Sequence, residues 1–222
     1  MKKLEANMLS ECTFIGSITL SDGLTEIGEK AFRYCYKLET VVIPKTITKI
    51  GRCAFAHSGL KSITLLDGRL TEIGEYTFFN CRNLESVAIP ETVTKIGSGA
   101  FAHSGLKSIT LLDGRLTEIG EETFYSCKKL ETVVIPKTVT KIGLSAFAWS
   151  GLKSIVLPDG LTEIGWGAFY NCRNLETVVI PNSITKIDPD AFAGSGLKLI
   201  ILPHGVEFAF FECHNLVVKY RN

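Results

Sequence analysis

Residues 54–75, AFAHSGLKSITLLDGRLTEIGE, recur letter for letter at residues 100–121, and diverged copies of the same text fill most of the chain. A period of 46 residues that divides into halves of 22 or 23 belongs to a stacked solenoid, in which no unit buries its apolar face alone. Such a chain cannot fold around one central core. It has to wind, with each coil covering the one before.

Aligned on this text, eight units begin at Leu24, Ile47, Leu70, Val93, Leu116, Val139, Leu161 and Ile184 and occupy residues 24–205. Odd units read like LTEIGEKAFRYCYKLETVVIPKT and even units like ITKIGRCAFAHSGLKSITLLDGR. Residues 1–23 end in the tail of an even unit and make a partial first repeat. Residues 206–222 keep an AFxxCxxL at 209–216 but lose the IG step, as a degenerate C-terminal cap. The whole of 1–222 reads as one repeat domain.

Within a unit, Leu38, Val41 and Ile43 follow LxxVxI, whose final alternation predicts a short strand with one buried face. Pro44 then ends that strand, because it has no amide to donate. Ile27-Gly28 marks a second extended segment. The stretch from Glu29 to Cys35 is too short for an independent helix, so one helical or 3₁₀ turn packed by Phe32 is expected there. Asp67-Gly68-Arg69 and Asp113-Gly114-Arg115 read as turns in which the glycine supplies a positive φ.

The recurring IGxxAFxxCxxLxxVxIP resembles the BspA-like class of leucine-rich repeat over roughly residues 12–219. That class occurs in surface proteins of oral and gut bacteria and of a parasitic protist. The resemblance implies a right-handed leucine-rich-repeat solenoid of short parallel strands, located at the cell surface or secreted. Some members adhere to host matrix proteins or to other cells, so a protein or glycoprotein partner is implied. The N-terminus MKKLEANMLSEC lacks an apolar stretch of signal-peptide length, so the sequence leaves the compartment open.

Charge and composition narrow the partner. Lys and Arg number 24 against 23 Asp and Glu, which leaves no basic excess for nucleic acid, and no apolar run approaches a membrane span. Two rows alternate in sign from unit to unit. One runs Glu39, Lys61, Glu85, Lys107, Glu131, Lys153, Glu176, Lys198; the other runs Glu26, Lys49, Glu72, Lys95, Glu118, Lys141, Glu163, Lys186. Equivalent residues on stacked parallel strands lie roughly 5 Å apart, so each charge is neutralised by its neighbours and the rows fix register.

Cys35, Cys81, Cys127, Cys172 and Cys213 share one slot in odd units, where even units carry serine. Two coils, or roughly 9–10 Å, separate them, beyond the reach of a disulfide, so they read as buried thiols. Cys12 and Cys53 read as outside the row, and Cys53 as exposed. His57 and His103 are likewise too far apart to share a metal. No nucleophile, base and acid set, phosphate loop or metal motif is present, so no catalytic residue, metal or cofactor is expected.

Candidate partner-binding residues come from positions that vary among the copies. One row, two after the AF phenylalanine, reads Tyr34, His57, Asn80, His103, Ser126, Trp149, Asn171 and Gly194; another, following the IG glycine, includes Lys30, Cys53, Tyr76, Leu144 and Trp166. Exposed aromatics on a rigid row make good anchors. On the strand face, Val134, Val156, Val179 and Ile201 make the C-terminal half more apolar, a patch for a partner or for weak self-association with a second copy. The expected function is a non-catalytic binding or adhesion module. The alternative left open is a structural array, or an engineered consensus-like fragment, with no ligand of its own.

Overall fold

The computed structural model describes residues 2–206 and 216–221. The chain winds as a parallel-strand solenoid, and each coil up to residue 205 contributes one long and one short strand. The long strands run Ser17–Thr19, Thr40–Ile43, Ser62–Leu65, Ser86–Ile89 and Ser108–Leu111 in one sheet, and continue through Thr132–Val134, Ser154–Val156, Thr177–Val179 and Leu199–Pro203 to Val217–Arg221. The short strands sit at the IG steps, from Lys2–Leu4 and Leu24–Ile27 through Lys49–Ile50 to Lys186–Ile187. Every pairing is parallel, and equivalent residues face one another, as with Val41 and Ile63 or Glu163 and Lys186.

Alternation sets what each strand buries. In Ser108–Leu111 the residues are exposed, buried, exposed, buried, which sends Ile109 and Leu111 inward. Behind the strands the phenylalanines of the AF pairs form a column. Phe32, Phe55, Phe78, Phe101, Phe124, Phe147, Phe169 and Phe192 stack with centroids 5.0 to 5.6 Å apart and planes within 17°. One ring per coil, in register, makes the core continuous across the eight repeats.

The segment between the short strand and the slot cysteine differs from the expected helical turn. Among the described residues there is no α- or 3₁₀-helix. Instead, hydrogen bonds alternate: Ala31, Arg33 and Cys35 donate within the coil to Gly28, Lys30 and Phe32. Lys30, Phe32 and Tyr34 donate across to Arg52, Ala54 and Ala56 of the next coil. A helix keeps every amide in its own segment, whereas this chain needs every second amide for its neighbour. Left-handed residues at Lys30 (φ 55°) and Tyr34 (φ 61°) make the reversals.

The Asp-Gly-Arg turns also differ from expectation, since neither Gly68 nor Gly114 has a positive φ. Their glycine is required by close approach. A Cβ would collide with the backbone of Lys45 or Glu91 on the preceding coil. A further ladder lies beside the IG step. The side chains of Thr48, Thr71, Thr94, Thr162 and Thr185 each donate to the carbonyl oxygen of the threonine one coil back, at 3.0 to 3.2 Å.

The first residues wind as a coil of the same kind. Asn7, Leu9 and Glu11 donate to Glu29, Ala31 and Arg33, the pattern by which Lys30, Phe32 and Tyr34 bond the coil after. The AFxxCxxL at 209–216, with Cys213 and His214, lies outside the described residues apart from Leu216.

Candidate functional site

On the turn side, the row Tyr34, His57, Asn80, His103, Ser126, Trp149, Asn171 and Gly194 has one backbone conformation, with φ from 55° to 65° throughout. Each amide from Tyr34 to Asn171 donates to the next coil, as His103 does to Tyr125 at 2.8 Å. The row therefore varies in side chain but is fixed in backbone. Asn, His and Gly tolerate the left-handed region best, so their abundance here was a readable signal.

Several of these side chains are already engaged. Tyr34 lies against His57 (centroids 4.9 Å), and His57 against Phe79 at 5.3 Å while bonding Asn80 Nδ2 through Nδ1 at 2.8 Å. His103 sits between Phe79 and Tyr125. Burial, and then the charges of Arg82 and Lys128, hold the His103 imidazole below its ordinary pKa; for His57 the charges are Arg33 and Arg82. Both histidines are thereby disposed to stay neutral.

The second variable row divides in two. Lys30, Cys53 and Tyr76 follow the IG glycine by two residues and are left-handed, whereas Leu144 and Trp166 follow it by one and are not. Trp149 is 40% exposed and Trp166 49%. Trp149 packs edge-on to Tyr170 and lies under the Arg173 guanidinium, 5.8 Å from the ring centroid. Trp166 is not among the residues lining the cleft around Trp149. Cys53, expected in the open, is half-buried, and burial raises its thiol pKa.

Cys12 also departs from expectation, because it belongs to the cysteine slot. The Cys81 thiol donates to the carbonyl of Phe55, three residues before Ser58, and the Cys35 thiol donates to that of Leu9, three residues before Cys12. Cys12 thus stands where Ser58 stands, one coil from Cys35 and not two. The motif is disguised because Met8-Leu9 replaces Ala-Phe in that coil.

The strand face carries the other candidates. Val134 and Val156 are paired neighbours, 65% and 62% exposed, with Val179 exposed on the next coil. Ile201 is half-buried, with its strand hydrogen-bonded to Val217–Arg221 on one side and to Val179's strand on the other. Beside this strip run the ion pairs Glu131–Lys153 (2.8 Å) and Glu176–Lys198. The equivalent pairs Glu39–Lys61 and Glu85–Lys107 (both 2.7 Å) border the polar N-terminal half. The second charge row is paired as well, with Glu163 between Lys141 (3.2 Å) and Lys186 (3.1 Å).

The sequence matches the model for the BspA type leucine-rich repeat region, in six copies, over residues 2–131 and 117–218. A leucine-rich repeat protein of Bacteroides ovatus is 30% identical with a TM-score of 0.68, covering 99% of this chain and 64% of its own. One from Eubacterium ventriosum is 27% identical with a TM-score of 0.53, covering 92% of this chain and 66% of its own. The chain thus spans just under two thirds of both. The pneumococcal vaccine antigen PcpA, at 22% identity and a TM-score of 0.54, shares the fold, over 95% of this chain and 67% of its own. No curated protein matches the sequence significantly.

Proposed function

Because the chain belongs to the BspA-type leucine-rich-repeat family, we propose that it is a non-catalytic binding or adhesion module of a cell-surface protein, holding a protein or glycoprotein partner on its long-strand face. The observation that carries this reading is the apolar ladder of Val134, Val156 and Val179, exposed on successive coils and bordered by ion pairs. An apolar centre with a polar border is the anatomy of a protein interface. The rigid stack beneath it presents the ladder already ordered, which lowers the entropic cost of association.

The chemistry of the remaining groups supports a non-catalytic role. Burial raises the thiols of Cys81, Cys127 and Cys172 to about 11, 12 and 12, leaving them inert at neutral pH. His57 and His103 are spent on ring contacts along the turn side.

The test is binding of the intact chain to immobilised matrix and plasma glycoproteins. A Val134→Asp/Val156→Asp variant is expected to bind at least tenfold more weakly, and Trp149→Ala/Trp166→Ala to bind as the parent does. The reverse ranking moves the site to the turn side. No binding by the parent to any panel member would overturn the reading in favour of a structural array. Self-association through the same strip would appear in sedimentation velocity as a dimer lost in the aspartate variant.

A further inference from the structure

After the slot cysteine, odd coils insert one residue more than even coils. They read Tyr36-Lys37, Arg82-Asn83, Lys128-Lys129 and Arg173-Asn174 before the core leucine, whereas even coils pass from serine through a single glycine: Gly59, Gly105, Gly151 and Gly196. The odd coils bulge and the even coils are recessed between them. Glycine is obligatory in the recess, since a Cβ at Gly105 or Gly151 would collide with the carbonyl oxygen of Arg82 or Lys128. The result is a row of clefts along the solenoid. One of about 470 Å³ is lined by Asn80, Arg82, His103, Gly105, Lys128 and Lys129. The next, of about 220 Å³, shares Lys128 and adds Trp149, Asn171, Arg173 and Asn174.

The cations of this ridge differ from the lysines of the strand-face ladder. Lys61, Lys107, Lys153 and Lys198 each have a glutamate on the adjacent coil. Among the described residues, Arg82, Lys128, Lys129 and Arg173 enter no ion pair, and no acid occupies either inserted position from Tyr36 to Asn174. Glu85, whose carboxylate feels the charge of Lys129, is itself hydrogen-bonded to Lys107. Two of the cations are also held in place. Arg82 Nε donates to Asn80 Oδ1 at 2.8 Å, and the Arg173 guanidinium lies over Trp149.

We propose that this ridge binds a linear sulfated polysaccharide, a ligand class separate from the partner of the strand face. Arg82, Lys128 and Arg173 recur every second coil, roughly 9–10 Å apart by the strand spacing, so they meet sulfates carried at intervals along an extended polymer. Guanidinium and ammonium groups pair with such oxyanions. Between them, the amides of Asn80, Asn171 and Asn174 offer donors and acceptors to hydroxyls, and Trp149 gives an apolar face for a sugar ring. A single-stranded nucleic acid fits less well, because its grooves stack successive bases on a series of aromatics, whereas these two clefts offer Trp149 and His103, the latter already in edge contact with Phe79 and Tyr125.

The test uses immobilised heparin as probe and the intact chain, with thermal unfolding to verify each variant. Arg82→Ala/Lys128→Ala/Arg173→Ala is expected to lose at least tenfold in affinity. Lys61→Ala/Lys107→Ala/Lys153→Ala, which removes the same charge from the paired ladder, is expected to lose less than threefold. Chemically desulfated heparin should not bind, and oligothymidylate of similar length should not compete. Equal loss in the two triple variants, effective competition by oligothymidylate, or no heparin binding by the parent at low salt would each overturn the proposal. Val134→Asp/Val156→Asp should leave heparin binding intact, so the strand-face reading fails or stands on its own.

Discussion

The hydroxyl of Ser104 and the thiol of Cys127 lie 3.3 Å apart on adjacent coils, and the thiol donates onward to the carbonyl oxygen of Phe101 at 3.1 Å. Ser58 with Cys81 (3.4 Å) and Ser150 with Cys172 (3.3 Å) repeat the arrangement. The serine–cysteine alternation is thus a buried contact between coils. It satisfies both polar groups where water does not reach.

The buried thiols make the fold sensitive to alkali. Their folded pKa values of about 11 for Cys81 and 12 for Cys127 and Cys172 exceed the ordinary 9.0. Their contribution is therefore complete below pH 9 and is lost as pH rises toward 11–12. At pH 10 the cost is on the order of 1 kcal/mol per thiol. Urea unfolding of the parent and of Cys127→Ala/Cys172→Ala at pH 7 and 10 checks this, with a smaller pH difference expected in the variant.

Cys12 and Cys35 form the pair that departs from the alternation, one coil apart with a thiol on each side. Parallel-strand spacing of about 4.8 Å lies within the Cα range of a disulfide. Burial raises the Cys35 thiol to about 11, so treatment with oxidised glutathione at alkaline pH should couple them. The two thiols lose two protons and two electrons to the reagent, which leaves as two reduced thiols. Intact mass should fall by two hydrogens, and peptide mapping should find Cys12 joined to Cys35. Cys12→Ser should abolish the product, and a bridge involving Cys81, Cys127 or Cys172 would contradict the packing.

Ser126 sits at φ 57°. Ser126→Val, a β-branched residue in the left-handed region, should cost about 1–2 kcal/mol. Ser126→Gly or Ser126→Asn should stay within about 0.5 kcal/mol of the parent. Equal stability of the valine and asparagine variants, measured by urea midpoint, would show that the row is not conformationally bound.

Phe124 stacks between Phe101 (5.6 Å) and Phe147 (5.2 Å) and is fully buried. Phe124→Ala should lower stability by about 3–5 kcal/mol through lost contacts and the cavity left behind. Hydrogen exchange should then quicken on both flanking coils, because each coil is supported mainly by its neighbours.

Period and alternation made much of this legible in the sequence. Leu38, Val41 and Ile43 announced the strand, Pro44 its end, and the Glu39/Lys61 alternation the register. The turn side was not legible in the same way. The segment Glu29–Cys35 looks like a short helix until the next coil's demand for every second amide is known, and that demand exists only in the stack. Cys12 was hidden because Met8-Leu9 replaces the Ala-Phe that marks the slot elsewhere. For the candidate site, Val134 and Val156 were readable from strand alternation. The clefts depend on a one-residue difference between odd and even coils, whose effect on shape requires the wound chain.

The two kinds of coil also govern how a gene for such a wall can grow. Adding a single odd coil would set glutamate on glutamate in both rows, thiol on thiol beneath them and bulge on bulge, and adding a single even coil would set lysine on lysine in both rows. Adding a pair disturbs none of these. Unequal exchange is therefore tolerated in steps of 46 residues, and the identical text at 54–75 and 100–121 is spaced by one such step. The heritable unit is the couple, and selection can lengthen the wall without redesigning a single contact.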